Sequence, residues 1–311
     1  MARLAVPALA AFLAALLAVD TQASYPQQLG LGVLTWAVLV AALVPLPAAR
    51  RAQALGVVAF ATVGEVTGSL VWGVYRYRLH NLPLFIPPAH GLVYLCGLSL
   101  SLALVRHRRA LVVAAAAIAA TWGILGLTVL PRRDVAGAIG VPLLLVFLWR
   151  SRNRAVYAGV FLVVAALELY GTAIGVWRWA PELPGLGIPD GNPPSGVASG
   201  YVWFDVMALL VAPYLLRAAT AARRCVARAT TETAVAPTES AAALGDTPGA
   251  LQDAVGPEHD VRDEGDRDQA AHTSDPVVPA LAVGAAVGAQ ADALPAAVDA
   301  EAAAAVAGRP A

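Results

Sequence analysis

The sequence predicts an all-α, polytopic membrane protein, a helical bundle of about eight transmembrane helices. Two observations predict this class. Of the 311 residues 59% are hydrophobic, and they concentrate in runs that approach the roughly 20 helical residues needed to cross a bilayer. In addition, the connections between these runs alternate between many and few arginines, which is typical of a multi-pass protein that follows the positive-inside rule.

Eight apolar segments qualify as spans, and the first and sixth are the weakest predictions because they are the shortest. The segments are 4–19, 30–47, 54–74, 88–105, 110–130, 135–149, 155–176 and 197–216. The first has an alternative interpretation as a cleaved signal peptide, since Arg3 precedes its apolar run. A retained helix is favoured because no A-x-A cleavage site follows Asp20.

Arginines predict the orientation, and the chain contains no lysine. Thirteen of them lie before the first span, at alternate connections and directly after the last span, whereas the other connections hold five. Positive residues favour the cytoplasm, so we expect a plasma-membrane protein whose N- and C-termini are both cytoplasmic. Arg132 and Arg133 are the local exception to this distribution.

The formal net charge of zero is the sum of two oppositely charged parts. Residues 1–228 carry 18 Arg and 7 acidic residues, and residues 229–311 carry 3 Arg and 14 acidic residues. The second part is rich in Ala and Pro and lacks aromatic residues, so it cannot bury enough apolar surface to offset the entropy of ordering. We expect a transmembrane domain over 1–228 and a disordered cytoplasmic tail over 229–311, which docks on the chain's own arginine loops or on another protein.

An internal duplication predicts how the helices are arranged. The pattern E-x-x-G, then G-V-aromatic-Arg-aromatic, then a proline-rich loop ending in Pro-Pro begins at Glu65 and again at Glu168. Four spans separate the equivalent helices, so both halves should have the same orientation. We therefore expect a parallel four-plus-four repeat with halves 1–105 and 106–216, related by an axis near the membrane normal.

Glu65 and Glu168 are the first candidates for catalysis. Each follows an arginine by fourteen residues, about 21 Å of helix rise, which places both carboxylates near the middle of the membrane. A carboxylate at that depth costs several kcal/mol unless it is paired or protonated. We assign both as acid/base residues, and the alternative is an interhelical hydrogen bond that only fixes the packing.

His90 and Asp205 complete the catalytic set, and neither has a counterpart in the other half. His90 lies at the outer start of a span, where an imidazole can exchange protons with a carboxylate. Asp205 lies about 12 Å into the last span. For His90, a helix-end residue that caps or meets water is the alternative.

A further set of residues at the outer helix ends is assigned to substrate binding. It contains the two aromatic-Arg-aromatic triplets and one amide of the second proline loop. In this interpretation the arginines lie between ring faces at a pocket mouth, and the alternative is an interfacial aromatic belt. The set is Tyr75, Arg76, Tyr77, Trp177, Arg178, Trp179 and Asn192.

Several function classes lose support because their residues are absent. Without lysine the chain cannot form a Schiff base with retinal or pyridoxal phosphate. The motifs H-E-x-x-H, C-x-x-C, G-x-S-x-G and both glycine-rich phosphate-binding patterns are also missing. We therefore expect no metal, no cofactor and no nucleic-acid partner, and the expected partners are membrane lipids and a hydrophobic small molecule.

The E-x-x-G and G-V-Y-x-Y motif over 65–77, and less closely 168–179, resembles multi-span carotenoid hydratases of the bisanhydrobacterioruberin type. The resemblance is confined to these segments, and it implies that water is added to the end of a long isoprenoid. This sequence departs from that pattern by repeating the motif, by its central arginine and by its Asn-Pro-Pro loop. In composition the chain also resembles uncharacterised multi-pass membrane proteins of high-GC actinobacteria, a likeness that implies no activity.

Three functions follow from these residues. The first is a membrane-embedded enzyme that acts on an isoprenoid or lipid by carboxylate acid/base chemistry. The second is a proton-coupled transporter in which the glutamates carry protons. The third is a structural or accessory membrane protein without catalysis.

Overall fold

The computed structural model describes residues 2–235, which are mostly helical. Apart from residues 229–235, which continue the last helix, the predicted tail lies outside the described residues. The described part contains eight α-helices. They are α1 Ala2–Asp20, α2 Tyr25–Leu43, α3 Ala48–Glu65, α4 Ile86–Ala103, α5 Arg108–Thr128, α6 Val135–Arg150, α7 Arg154–Ala173 and α8 Val197–Val235.

Six helical segments within the described residues are long and apolar enough to cross a membrane. They are Tyr25–Leu43, Ala48–Trp72, Ile86–Ala103, Val105–Thr128, Arg154–Ala173 and Val197–Val226. The apolar stretches of α1 and α6 are shorter, and these are the two segments whose length made them the weakest predictions. The helices also expose large apolar side chains such as Val33, Val71 and Ile139, as expected for surfaces that face lipid. The chain therefore has the composition of a membrane-embedded helical protein.

The most extensive helix contacts join α3 to α8 and α4 to α7. Small residues let these backbones approach each other closely. A Cβ added to Gly56 of α3 would lie 3.1 Å from the Cβ of Ala208 in α8. A Cβ added to Gly97 of α4 would lie 2.6 Å from the Cα of Val160 in α7. The four helices that carry the predicted catalytic residues are therefore held together tightly.

The two aromatic-Arg-aromatic triplets form β-strands, and the prediction that they end their helices was wrong. Gly73 and Gly175 adopt left-handed φ angles of 76° and 80°, which L-residues rarely adopt, and so the helical path stops there. The following residues are extended and pair antiparallel as β1 Tyr75–Tyr77 and β2 Trp177–Trp179, called here the aromatic ribbon. A smaller hairpin, β3 Glu182–Leu183 with β4 Ile188–Pro189, lies in the loop that follows.

A π-helical segment, Val66–Trp72, continues α3 and explains why the two motifs differ in length. Gly68 and Gly73 are separated by one residue more than Gly171 and Gly175. The wider π turn absorbs the extra residue. Both helices then close in the same way, because Val74 N–H donates to Gly68 O at 2.8 Å and Val176 N–H donates to Gly171 O at 2.9 Å.

Two residues before α6 fasten the loop after the aromatic ribbon. The buried Asp134 carboxylate accepts backbone N–H bonds from Gly137 and Gly191 at 3.0 Å and from Ser195 at 2.6 Å. Arg132 donates to the carbonyls of Trp179, Ala180 and Asp190. Arg132 therefore has a structural task, which gives a reason for an arginine at this exceptional position.

Candidate ligand-binding cavity

Each glutamate of the repeated motif lies below a ring of the aromatic ribbon. Gly68 and Gly171 follow their glutamates by three residues, and so they share a helix face with them. A Cβ at Gly68 would lie 3.0 Å from Cε1 of Tyr75, and a Cβ at Gly171 would overlap the ring of Trp177. The E-x-x-G spacing therefore makes room for a ring above each carboxylate.

Ring donors hold both carboxylates in place. Glu65 Oε2 accepts the hydroxyls of Tyr75 and Tyr77, each at 2.6 Å. Glu168 Oε2 accepts the indole N–H of Trp177 at 2.9 Å and that of Trp179 at 3.4 Å. Both glutamates are buried, with 6% and 5% of their surface exposed. The two motifs thus hold their carboxylates with phenols in one case and indoles in the other.

The two phenols remain protonated donors. Burial is the largest cause that raises the pKa of both Tyr75 and Tyr77 above the ordinary value, and the neighbouring Glu65 raises it further. Because an ionised phenol is not formed at physiological pH, each hydroxyl keeps the proton that it donates. Oε2 of Glu65 is therefore an acceptor, and any proton on this carboxyl group resides on Oε1.

His90 faces the other oxygen of Glu65. Its Nδ1 lies 2.8 Å from the carbonyl of Ile86, which only accepts, so Nδ1 carries a proton. Its Nε2 lies 3.3 Å from Glu65 Oε1, a distance that fits an ion pair, although Nε2 lacks the alignment of a hydrogen bond. An imidazole nitrogen can carry a proton, and so the geometry allows proton exchange between His90 and Glu65.

Helix α8 contributes two aromatic residues that were not predicted as site residues. Tyr201 stacks on the imidazole of His90, with centroids 5.1 Å apart and planes 16° apart. Phe204 packs edge-on against both rings. Tyr201 lies one helical turn before Asp205, but nothing in the sequence separates it from an ordinary aromatic residue of a span.

These groups line one cavity of about 250 Å³, called here the carboxylate cavity. Its walls come from α3, α4, α7, α8 and the aromatic ribbon. They include Glu65, Tyr75, Tyr77, His90, Glu168, Trp177, Trp179, Tyr201 and Phe204. The cavity therefore brings together two carboxylates, an imidazole, three phenols and two indoles from segments that are far apart in the sequence.

A smaller apolar pocket of about 50 Å³ adjoins the carboxylate cavity. Leucines of α1 form one wall, and Val93 of α4 and Val164 of α7 form others. His90 and Glu168 line both spaces. A molecule that occupied the two together would place a polar end between the carboxylates and a hydrocarbon part against α1.

Seven of the eleven predicted site residues line the carboxylate cavity, and the other four lie elsewhere. Arg76 and Arg178 are exposed, on the strand positions that alternate with the cavity-facing rings. Asn192 accepts the backbone N–H of Trp179 at 2.9 Å and so positions β2. Asp205 is buried in α8 outside the cavity lining, and its Oδ2 has no hydrogen-bond partner among the described residues.

Within residues 2–235 no group of three or more His, Cys, Asp or Glu side chains is arranged to hold a metal ion. No family model, curated protein or solved structure matches the chain. The chemistry of the carboxylate cavity therefore has to be argued from its own residues.

Proposed function

We propose that the chain is a multi-pass membrane protein of eight transmembrane helices, built as a parallel four-plus-four repeat. The aromatic ribbon supports this, because its register centres on Arg76 opposite Arg178, the equivalent residues of the two motifs. Two strands related by a twofold axis through the ribbon pair antiparallel with such a register. An inverted repeat would instead place the two motifs at opposite ends of the bundle.

The helix packing adds support for the proposed repeat. Gly56 and Gly159 both precede their glutamates by nine residues, and each makes a close contact with a helix of the other half. The α3–α8 contact is then the equivalent of α7–α4, and the α2–α4 contact is the equivalent of α6–α8. The first helix of each half departs from this scheme, since α1 packs against α4 and α7 whereas α5 packs against α6 and α7.

The proposed location is the plasma membrane, with the arginine-rich helix ends and both termini in the cytoplasm. The arginine count supports this orientation. On the opposite side, Arg132 and Arg78 each bind backbone carbonyls, so their positions are explained by loop structure. The aromatic ribbon then covers the outer end of the bundle.

The function that the site supports best is an enzyme that acts on an isoprenoid or lipid by carboxylate acid/base chemistry. One observation carries it, namely the His90–Glu65 pair at 3.3 Å, which lines one cavity together with Glu168, while His90 and Glu168 also line an apolar pocket. The pair supplies a proton, the second carboxylate supplies a base, and the pocket accepts hydrocarbon. The motif's resemblance to carotenoid hydratases points to the same substrate class.

In the proposed reaction the proton of the His90–Glu65 pair passes to an alkene carbon of the substrate, which becomes a carbocation. A water molecule bonds to the cation through its oxygen while its proton passes to Glu168. The sum is addition of water, and the pair regains its proton when Glu168 returns one through solvent. The rings that hold the carboxylates fix both in position before the substrate binds.

Lipid and pigment profiling of a deletion strain tests this function. The wild-type gene should restore a hydroxylated product, and the Glu65→Gln and Glu168→Gln variants should accumulate its alkene precursor. Glu182→Gln, which changes an exposed carboxyl group outside the cavity, is the matched control and should behave as wild type. If all three variants restore the wild-type profile while the protein is present, the catalytic assignment is wrong.

A proton-coupled transporter is the second candidate, and Asp205 is the observation that favours it. This carboxylate is buried one helical turn from Tyr201 of the cavity, and its Oδ2 has no hydrogen-bond partner among the described residues. Such a group can hold a carried proton within a span. In proteoliposomes loaded with a pH dye, Asp205→Asn should then abolish solute-driven proton uptake. Absence of uptake in the wild type, together with an unchanged lipid profile, would leave an accessory role.

A further inference from the structure

A second concave site lies at the opposite end of the bundle from the aromatic ribbon. It is a groove of about 610 Å³ between the start of α5, the end of α6 and the start of α7, called here the arginine groove. Five arginines line it: Arg108, Arg109, Arg150, Arg152 and Arg154. No carboxylate belongs to its lining among the described residues.

The positive charge of the arginine groove is not offset by nearby acidic residues of the same helices. Between residues 105 and 167 the only acidic residue in the sequence is Asp134, which is buried at the far end of α6, about 24 Å away along that helix. The N-termini of α5 and α7 also lie at the groove, and their helix dipoles add positive potential. These helices therefore contribute arginines and positive helix ends to the groove but no carboxylate.

The apolar wall of the groove indicates which anion. Trp149 and Val113 line it with 73% and 66% of their surface exposed, and both lie on helix faces directed away from the bundle core. The Arg150 guanidinium lies 5.3 Å from the Trp149 ring centroid. A tryptophan beside arginines at a helix end is typical of the membrane interface, where headgroup and acyl chain meet. We infer that the arginine groove binds the phosphate group of an anionic phospholipid, with the acyl chains against Val113 and Trp149.

Binding of phosphatidylglycerol and phosphatidylcholine to the full-length chain in detergent tests this inference. Each arginine near an anionic group contributes about fivefold in affinity, so Arg150→Gln/Arg154→Gln should weaken phosphatidylglycerol binding by about 25-fold. The charge-matched control is Arg76→Gln/Arg178→Gln, which removes two exposed arginines from the aromatic ribbon and should leave binding unchanged. Brominated phosphatidylglycerol should quench wild-type tryptophan fluorescence more than a Trp149→Phe variant, a readout that requires only folded protein.

Several outcomes would overturn the assignment. If both lipids bind equally well, or if the two double variants lose equal phosphatidylglycerol affinity, the arginine groove is not a site for an anionic phospholipid. Inorganic phosphate that stabilises the chain as strongly as the lipid would replace it with a site for a free anion. Phosphatidylglycerol binding that is seen only after residues 229–311 are deleted would make the acidic tail the occupant.

Discussion

Tyr75 of β1 and Trp179 of β2 pack ring against ring with centroids 4.6 Å apart, and each donates a hydrogen bond to the glutamate of its own motif. The two buried carboxylates are therefore connected through a pair of rings across the aromatic ribbon. A substitution in one motif should therefore affect the other motif. The stability changes caused by substituting Glu65 and Glu168 are not expected to be additive.

Tyr77→Phe removes one of the two hydroxyl donors to Glu65 Oε2 without changing the ring. A hydrogen bond to a charged group contributes about 1.5–3 kcal/mol, so the free energy of unfolding should fall by that amount. Thermal unfolding in detergent measures it. The control is Tyr25→Phe, whose ring is 55% exposed on α2. Equal stability of the two variants would mean that the Tyr77 hydroxyl contributes nothing at Glu65.

Gly171→Ala tests whether the Trp177 ring packs on Gly171, next to Glu168. The added methyl overlaps the Trp177 ring, which has to move, and overpacking of this kind costs about 1–3 kcal/mol. Gly30→Ala is the matched control, because its Cβ meets nothing within 4 Å and should leave a helix as stable or slightly more stable. If both variants change the melting temperature by the same amount relative to wild type, the placement of Trp177 over Gly171 is contradicted.

Asp134→Ala should release the loop that follows the aromatic ribbon. Three backbone N–H groups lose their acceptor, and each buried donor left unpaired costs about 1–3 kcal/mol. Limited proteolysis between residues 181 and 196 should become faster in the detergent-solubilised chain. Glu182→Ala, which changes an exposed residue of the same loop, serves as control. Cleavage at the same rate in both variants would contradict the role of Asp134 in holding this loop.

The buried carboxyl group of Asp190 should make the stability of the chain depend on pH. Burial raises the pKa of Asp190 from 3.8 to about 7, with Asp134 adding to the increase and Arg132 opposing it. The folded chain therefore holds a proton that the unfolded chain releases, so stability falls as pH rises from about 4 to about 7. Asp190→Asn removes this loss, and its melting temperature relative to wild type should be higher at pH 8 than at pH 5. A difference that is the same at both pH values would refute the assignment.

The sequence predicted the helices well because hydrophobic runs of this length are a strong signal. Every predicted span overlaps a helix, and Glu65, Glu168 and His90 do line one cavity. All three were identifiable as ionisable residues in or at the end of an apolar segment, and the two glutamates also because their motif occurs twice. The strands were missed, since a short aromatic triplet after a helix fits an interfacial belt equally well by composition.

The roles of Arg76 and Arg178 depended on which way the chain turns after Gly73 and Gly175. A helix would have placed the arginines among the rings, whereas a strand alternates its side chains and turns them to the other face. Asp134 could have been predicted as a helix cap from its position before an apolar run. Its bonds to Gly191 and Ser195 link distant segments and leave no local signal in the sequence.

Glu65 and Glu168 line one cavity, and we propose that both carboxylates belong to one site for a molecule with a polar end and a hydrocarbon part. The most direct measurement is mass spectrometry of the apolar compounds released from the purified full-length chain. A compound of this kind should be released from the wild type and from Glu182→Gln. About tenfold less of it should be released from either Glu65→Gln or Glu168→Gln, because a buried polar group that loses its partner costs about 1–3 kcal/mol and about 1.4 kcal/mol corresponds to a factor of ten. Equal amounts from all four proteins, or a loss in one glutamate variant only, would contradict the shared site.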